Sequence, residues 1–199
     1  MKIILSTRNP SKAEQIRAIF NGTSFTILTL TEAGIKGEAI EDGKTLRENA
    51  SKKALFAHEH KPTHWAMADD TGLFINALNG EPGIRAARWA GESASTDEIT
   101  TYTLKQLQRS SDRSAVFETV VVLVSPSGEQ KSFRGKVKGT LLEIPRVKSQ
   151  PKMPYSPIFI PNGESKVWAE MTTEYENNIS HRGIAFRKVR EYLESQLRG

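Results

Sequence analysis

The run Ala68-Asp69-Asp70-Thr71-Gly72-Leu73 sets two adjacent carboxylates and a hydroxyl at the end of a short apolar segment, Trp65-Ala66-Met67-Ala68. That segment reads as a buried strand. Successive side chains on a strand point to opposite faces, so only one of Asp69 and Asp70 can serve a given cleft. A carboxylate held at a strand end can bind a divalent metal or take a proton from water. The same residues also suit a turn that only caps a helix.

A second strand, loop and helix start opens the chain. Lys2-Ile3-Ile4-Leu5 reads as a strand, Ser6-Thr7-Arg8-Asn9-Pro10-Ser11 as a loop, and residues 12–20 as a helix with the apolar stripe Ala13, Ile16, Ile19 and Phe20. Lys12 in the first turn works against the helix dipole. A bound polyphosphate would offset that, because exposed N–H groups, the hydroxyls of Ser6, Thr7 and Ser11, the Asn9 amide and the Lys12 ammonium make an anion cradle. A capped helix with a solvated lysine is the plainer reading of the same loop. The glycines and the Gly-Lys-Ser/Thr ending of a Walker loop are missing.

Other chemistries find no residues. The chain has no cysteine, which removes disulfides, thiolate metal sites and cysteine nucleophiles together. No serine sits in a Gly-x-Ser-x-Gly elbow. His58 and His60, two apart on a helix, point in different directions. Oxygen ligands remain, and they suit Mg2+. Glu38, Glu41 and Asp42 precede a helix over residues 45–58, and Glu48 lies within it; any of these could complete a two-carboxylate site with Asp70, or simply cap the helix.

The elements that must position these groups alternate between strand and helix in the first half, which argues for an α/β sheet. A further strand is expected over 25–30. The 45–58 helix carries Leu46, Ala50, Ala54 and Leu55 on one side, and another helix over 96–108 has Asp97 and Glu98 in its first turn. The loop Gly80-Glu81-Pro82-Gly83-Ile84-Arg85 returns the chain toward the two aspartates. Valine-rich residues 115–124 pair through Ser125-Pro126-Ser127-Gly128 with 130–137 as a hairpin, a proline-rich loop covers 145–161, and a helix over 182–197 carries Ile184, Val189, Tyr192, Leu193 and Leu197.

At 199 residues, with 37% hydrophobic and 26% charged side chains, the chain reads as a single domain over 1–199 or two closely packed lobes. No apolar run approaches the ~20 residues needed to cross a membrane. The first residues enter a strand without a signal-peptide pattern, so a cytoplasmic location is expected. The net charge of +5 suits an anionic ligand. The basic run over 131–152 has few aromatics between its charges; it reads as a solvated hairpin face, and no nucleic-acid partner is expected.

Several ordered blocks resemble the inosine/xanthosine triphosphate pyrophosphatase family across nearly the whole chain. They are Ser6-Thr7-x-Asn9-x-x-Lys12, Glu41-Asp42-Gly43-x-Thr45-x-x-Glu48-Asn49-Ala50, Ala68-Asp69-Asp70-Thr71-Gly72-Leu73, Pro82-Gly83-Ile84 with Ala87-Arg88-Trp89-Ala90-Gly91, and Ile179-Ser180-His181-Arg182-Gly183. The resemblance implies a mixed α/β fold with a long central sheet and two lobes enclosing a cleft, commonly a homodimer. It implies a nucleoside triphosphate as substrate, with Ser6, Thr7, Arg8, Asn9 and Lys12 on the triphosphate side and Thr71 touching phosphate. Asp70 would be the catalytic carboxylate, helped by Lys12 and joined by Glu41 around magnesium. His181 and Arg182 would address the base. Water oriented by Asp70 would attack the α-phosphorus and pyrophosphate would leave.

Two departures stand out. The family's Phe-Gly-Tyr-Asp-Pro motif on the base is Met153-Pro154-Tyr155-Ser156-Pro157 here, and its usual lysine just before His181 aligns with Glu176. Methionine can cover a base but cannot stack as a ring does. The substrate-binding set implied is therefore completed by Met153, Tyr155, Ser156 and Glu176, with a related pyrophosphatase of changed base specificity, or a nucleotide-binding protein without turnover, as the alternatives.

Overall fold

The computed structural model describes residues 1–197. Strand β1 (Lys2–Leu5) leads into helix α1 (Pro10–Ile19), followed by β2 (Thr26–Thr29), α2 (Leu46–His60) and β3 (Trp65–Ile75). Then come β4 (Pro82–Gly83), α3 (Thr96–Gln106), β5 (Ser114–Val124), β6 (Gln130–Leu141), β7 (Phe159–Pro161), α4 (Thr173–Ile179) and α5 (His181–Gln196). The architecture is mixed α/β, with strand order β2-β1-β3-β5-β6-β7 and β4 paired on β3. The chain divides into two compact units, one made of residues 1–70, 119–135 and the segment from 180 on, the other of 71–118 and 136–179. Among the described residues no helix is long and apolar enough to cross a membrane.

In the first unit β1 runs parallel to both β2 and β3, with Ile3 opposite Trp65 and Leu5 opposite Met67. The two-residue period of a strand sorts its side chains onto two faces. Ile3, Leu5 and Met67 face Ala13, Ile16 and Ile19 of α1 and Ala185, Phe186, Val189 and Leu193 of α5. Ile4, Ala66 and Ala68 face Ala50, Ala54 and Ala57 of α2. Local chemistry fixes where these helices begin: Asn9 caps α1 with Pro10 just inside, Thr45 caps α2, and Ser180 caps α5.

The second unit has its own core, in which Phe117 meets Phe159 edge to face at 4.8 Å and Phe159 stacks with Trp168 at 5.8 Å. Here β4 pairs antiparallel with β3, Leu73 opposite Gly83. A Cβ on Gly72 would lie 2.8 Å from the Gly83 carbonyl oxygen, so the pairing needs a glycine there.

Several elements differ from the expectation. The strand does not end before the two aspartates; β3 carries them in its middle and continues to Ile75. The segment read as a Gly/Pro loop holds β4, whose partners are Leu73 and Phe74 rather than the aspartates. β6 extends four residues past 137, the proline-rich stretch ends in β7, and Leu197 lies exposed beyond α5 instead of on its covered face.

Candidate active site

The strand parity that sorts the core also separates the carboxylates. Asp69 follows Met67 and points toward α1 and α5; Asp70 follows Ala68 and points toward α2. Asp69 meets two cations there and Asp70 one.

On the first face, Lys12 Nζ lies 2.7 Å from Asp69 Oδ1, and Arg182 Nε lies 3.5 Å from Oδ2. Burial alone would raise the Asp69 carboxyl, but Lys12 and Arg182, with Lys53 behind them, outweigh it and hold it down at about 2. Lys12 is therefore tied to Asp69. The unfavourable cation in the first turn of α1 has this carboxylate as its reason. One turn on from Lys12, Gln15 is buried on the same side of α1 and accepts a hydrogen bond from Arg182 Nη1 at 2.8 Å. His181, the first residue of α5, is buried with Nδ1 3.2 Å from the Thr119 hydroxyl. Burial, reinforced by the adjacent Arg182, pushes His181 down to about 3 and keeps the imidazole neutral.

On the second face, α2 presents Asn49 and Lys53, four residues apart and so on one side of the helix. Asn49 Nδ2 donates to Asp70 Oδ2 at 3.1 Å, while its Oδ1 accepts from Gly43 N–H at 2.8 Å. Lys53 Nζ lies 2.9 Å from Glu41 Oε2 and 3.4 Å from Asp70 Oδ1. Burial raises the Asp70 carboxyl, and Lys53 and Asn49 offset only part of it. The three carboxylates Asp70, Glu41 and Asp69 keep Lys53 protonated against its own burial.

Of the four acids that could have joined Asp70, the structure brings Glu41 to it. Glu38 pairs with Arg8 at 3.3 Å, Asp42 pairs with Lys52, and Glu48 accepts from Lys44 N–H at the start of α2. Among the described residues no cluster of three or more metal-ligating side chains occurs. The pair Asp70 and Glu41 nonetheless fits a hard divalent cation. Both are carboxylates, they already share one cation, and such an ion takes one or two protein carboxylates and completes its shell with phosphate and water.

The loop at residues 6–9 prepares donors in a specific way. Thr7 Oγ1 accepts from Asn9 N–H at 3.2 Å, and Asn9 Oδ1 accepts from Lys12 N–H at 3.4 Å. Each side chain thus uses its acceptor inside the loop and keeps its O–H or NH2 to donate. The expected ring of backbone donors is thinner, because Pro10 has no N–H and that of Lys12 goes to the cap. Arg8 is placed elsewhere: Nη2 donates to the carbonyls of Ile35 and Gly37, both at 2.8 Å, and Nη1 to Thr31, so its guanidinium pins residues 31–37. Ser6 anchors the loop through its N–H to the Met67 carbonyl at 2.8 Å.

Thr71, Met153, Tyr155, Ser156 and Glu176 belong to the second unit. Tyr155 is buried and donates to the Ala86 carbonyl at 2.8 Å, which makes it a core residue. The buried Ser156 hydroxyl donates to the Met153 carbonyl at 2.8 Å and accepts from Gln150 N–H at 2.9 Å, closing its own loop. Glu176 is buried on α4 and Met153 is half-buried. Three charges of the basic run have partners: Lys131 sits over the Tyr192 ring at 4.0 Å, Lys136 pairs with Glu118 and Arg146 with Glu170.

Sequence reasoning gave no role to Gln15, Lys53 and Thr119, and it named Asp69 and Asn49 within motif blocks without assigning their partners. Gln15, Asn49 and Lys53 had a signal, since each lies beside an apolar helix stripe at a spacing that covers it.

Comparison with known proteins agrees with these motifs. A model of the Ham1 family matches residues 3–192. Over 199 residues the chain is 40% identical to the dITP/XTP pyrophosphatase of Thermoanaerobacter pseudethanolicus, covering 99% of this chain and 98% of that one. It is 36% identical over 194 residues to the dITP/XTP pyrophosphatase of Geobacter sulfurreducens, covering 96% of each. The solved structure of a HAM1 protein from Coxiella burnetii is similar with a TM-score of 0.88 at 31% identity, over 98% of this chain and 99% of that one.

Proposed function

We propose that this chain, which belongs to the Ham1 family, hydrolyses inosine- and xanthosine-type (deoxy)nucleoside triphosphates to the nucleoside monophosphate and pyrophosphate. The observation that carries the reading is the convergence of Lys12, Lys53 and Arg182 on the adjacent carboxylates Asp69 and Asp70, in a chain that matches dITP/XTP pyrophosphatases from end to end. Thr7, Asn9 and Ser6 donate to phosphate oxygens. Lys12 balances the charge that builds on them, and His181 and Arg182 address the base. Asp70, with a carboxyl made more basic by burial, takes a proton from water as the water oxygen bonds to the α-phosphorus. The bond from that phosphorus to the bridging oxygen breaks, and pyrophosphate leaves with the electron pair. Asp70 and Glu41 would hold magnesium, which when bound neutralises phosphate oxygens as a Lewis acid. A homodimer in solution and a cytoplasmic location beside the nucleotide pool go with this reading.

A changed base preference is the second reading, favoured by Ser156, whose hydroxyl is closed within its own loop where the family has an aspartate. One experiment addresses both. Inosine, xanthosine, adenosine and guanosine triphosphates are supplied with and without magnesium, and released pyrophosphate and orthophosphate are measured. Pyrophosphate from the first two, dependent on magnesium, is expected. Equal rates with all four would support the second reading. Orthophosphate as product, or tight binding without turnover, would overturn the first.

A further inference from the structure

Arg182 is held by two groups of different character. Asp69 attracts its Nε across 3.5 Å, but neither Arg182 Nε nor Asp69 Oδ2 has a hydrogen-bond partner. Gln15 Oε1, by contrast, takes a directed hydrogen bond from Nη1 at 2.8 Å. A point charge fixes how near a planar guanidinium sits; a directed acceptor fixes the plane in which it lies and so the direction in which its remaining nitrogen is presented. Gln15 reaches this position from α1, three residues after Lys12, so one helix face delivers both the ammonium and the amide to the Asp69–Arg182 pair. A buried glutamine amid the apolar residues Ala13, Ile16 and Ile19 costs stability unless it is partnered, and Arg182 is a partner that rewards the choice.

We propose that Gln15 is a positioning residue for the triphosphate reaction: it sets the orientation in which Arg182 meets the substrate, and it links that orientation to Lys12 through helix α1. The inference rests on the pyrophosphatase reading, since it gives Arg182 a substrate to meet. It assigns a function to a neutral side chain outside every motif block that carries the resemblance.

The test uses the full chain and inosine triphosphate, with circular dichroism and a urea midpoint recorded for every variant. Gln15→Leu removes the acceptor at similar volume, and Gln15→Glu restores an acceptor at the same reach. Gln15→Leu is expected to lower kcat/KM by about tenfold or more, as loss of a hydrogen bond to a charged group would. The loss should divide between kcat and KM as it does in Arg182→Ala. Gln15→Glu should stay within about threefold of the parent, and Gln15→Leu should add nothing in an Arg182→Ala background. Parent-like kinetics in Gln15→Leu, failure of Gln15→Glu to restore them, or an undiminished loss in the Arg182→Ala background would overturn the inference. A purely structural glutamine would give the last of these. A parent chain that releases no pyrophosphate would overturn the underlying reading instead, so the two failures are distinguishable.

Discussion

Replacing Gly135 by alanine tests how α5 is set against the sheet. A Cβ there would lie 2.0 Å from the His181 carbonyl oxygen, 2.9 Å from Ala185 N and 3.0 Å from the His181 carbonyl carbon. All three are backbone atoms, so no rotamer change relieves the contact. Ordinary carbon contacts begin near about 3.5 Å, so β6 or the first turn of α5 must give by more than about 1 Å. Overpacking of this kind costs about 1–3 kcal/mol, and a clash with backbone belongs at the upper end. For a chain of this size that is a Tm fall of roughly 5–10 °C. The turn that moves carries His181 and Arg182, and the 2.8 Å bond from Arg182 to Gln15 does not survive such a shift. A 1 Å misplacement at a reacting centre can cost on the order of 100-fold. Gly135→Ala should therefore lower kcat/KM for inosine triphosphate by about 10- to 100-fold together with the fall in Tm. Gly34→Ala is the control: its φ is +71° with nothing within 4 Å of a new Cβ, so it should cost about 1 kcal/mol and leave the kinetics alone. Scanning calorimetry and steady-state kinetics on both variants decide the matter. Parent-like values in Gly135→Ala, or an equal kinetic loss in Gly34→Ala, would refute the reasoning.

Stability should fall on acidification as His181 demands. Its folded value near 3 lies below the unfolded 6.5, so the unfolded chain binds the extra proton first and stability drops as pH falls through 6.5, by about 3 kcal/mol at pH 4; urea midpoints across this range should show a shallower slope in His181→Gln. Ser156→Asp removes the hydroxyl that donates to the Met153 carbonyl and sets a carboxylate against that oxygen, so it should destabilise the chain by about 2–3 kcal/mol in urea unfolding. An unchanged midpoint would mean that the 150–156 loop does not depend on this bond.

Much of this arrangement is local enough to be read from the chain. The caps Asn9, Thr45 and Ser180 lie where short polar side chains precede apolar periodicity, and the alternation of Trp65 to Ala68 already assigns Asp69 and Asp70 to opposite faces. The continuation of β3 through the aspartates is not legible, because Asp-Asp-Thr-Gly has turn chemistry and only its place in the sheet, with β5 alongside and β4 paired on Leu73 and Phe74, makes it a strand. Arg8 was read with its loop neighbours, yet its partners are the carbonyls of Ile35 and Gly37, far along the chain. Lys12 is the instructive case. Its unfavourable place on the helix dipole was visible, but the group that offsets it, Asp69, comes from another element. Gly135 gave no local sign, since its constraint is the approach of α5 across the sheet.

The Asp70 carboxylate, with its cation partner Lys53, stands at the centre of the proposed triphosphate pyrophosphatase. The most direct measurement is pyrophosphate release from inosine triphosphate with magnesium by the parent and by Asp70→Asn, with circular dichroism spectra and urea midpoints compared. The amide keeps the hydrogen-bonding shape facing Asn49 and removes the charge and the basicity. A fold and midpoint close to the parent are expected, with a turnover lower by at least ~100-fold. Turnover within a few-fold of the parent would contradict this role of Asp70.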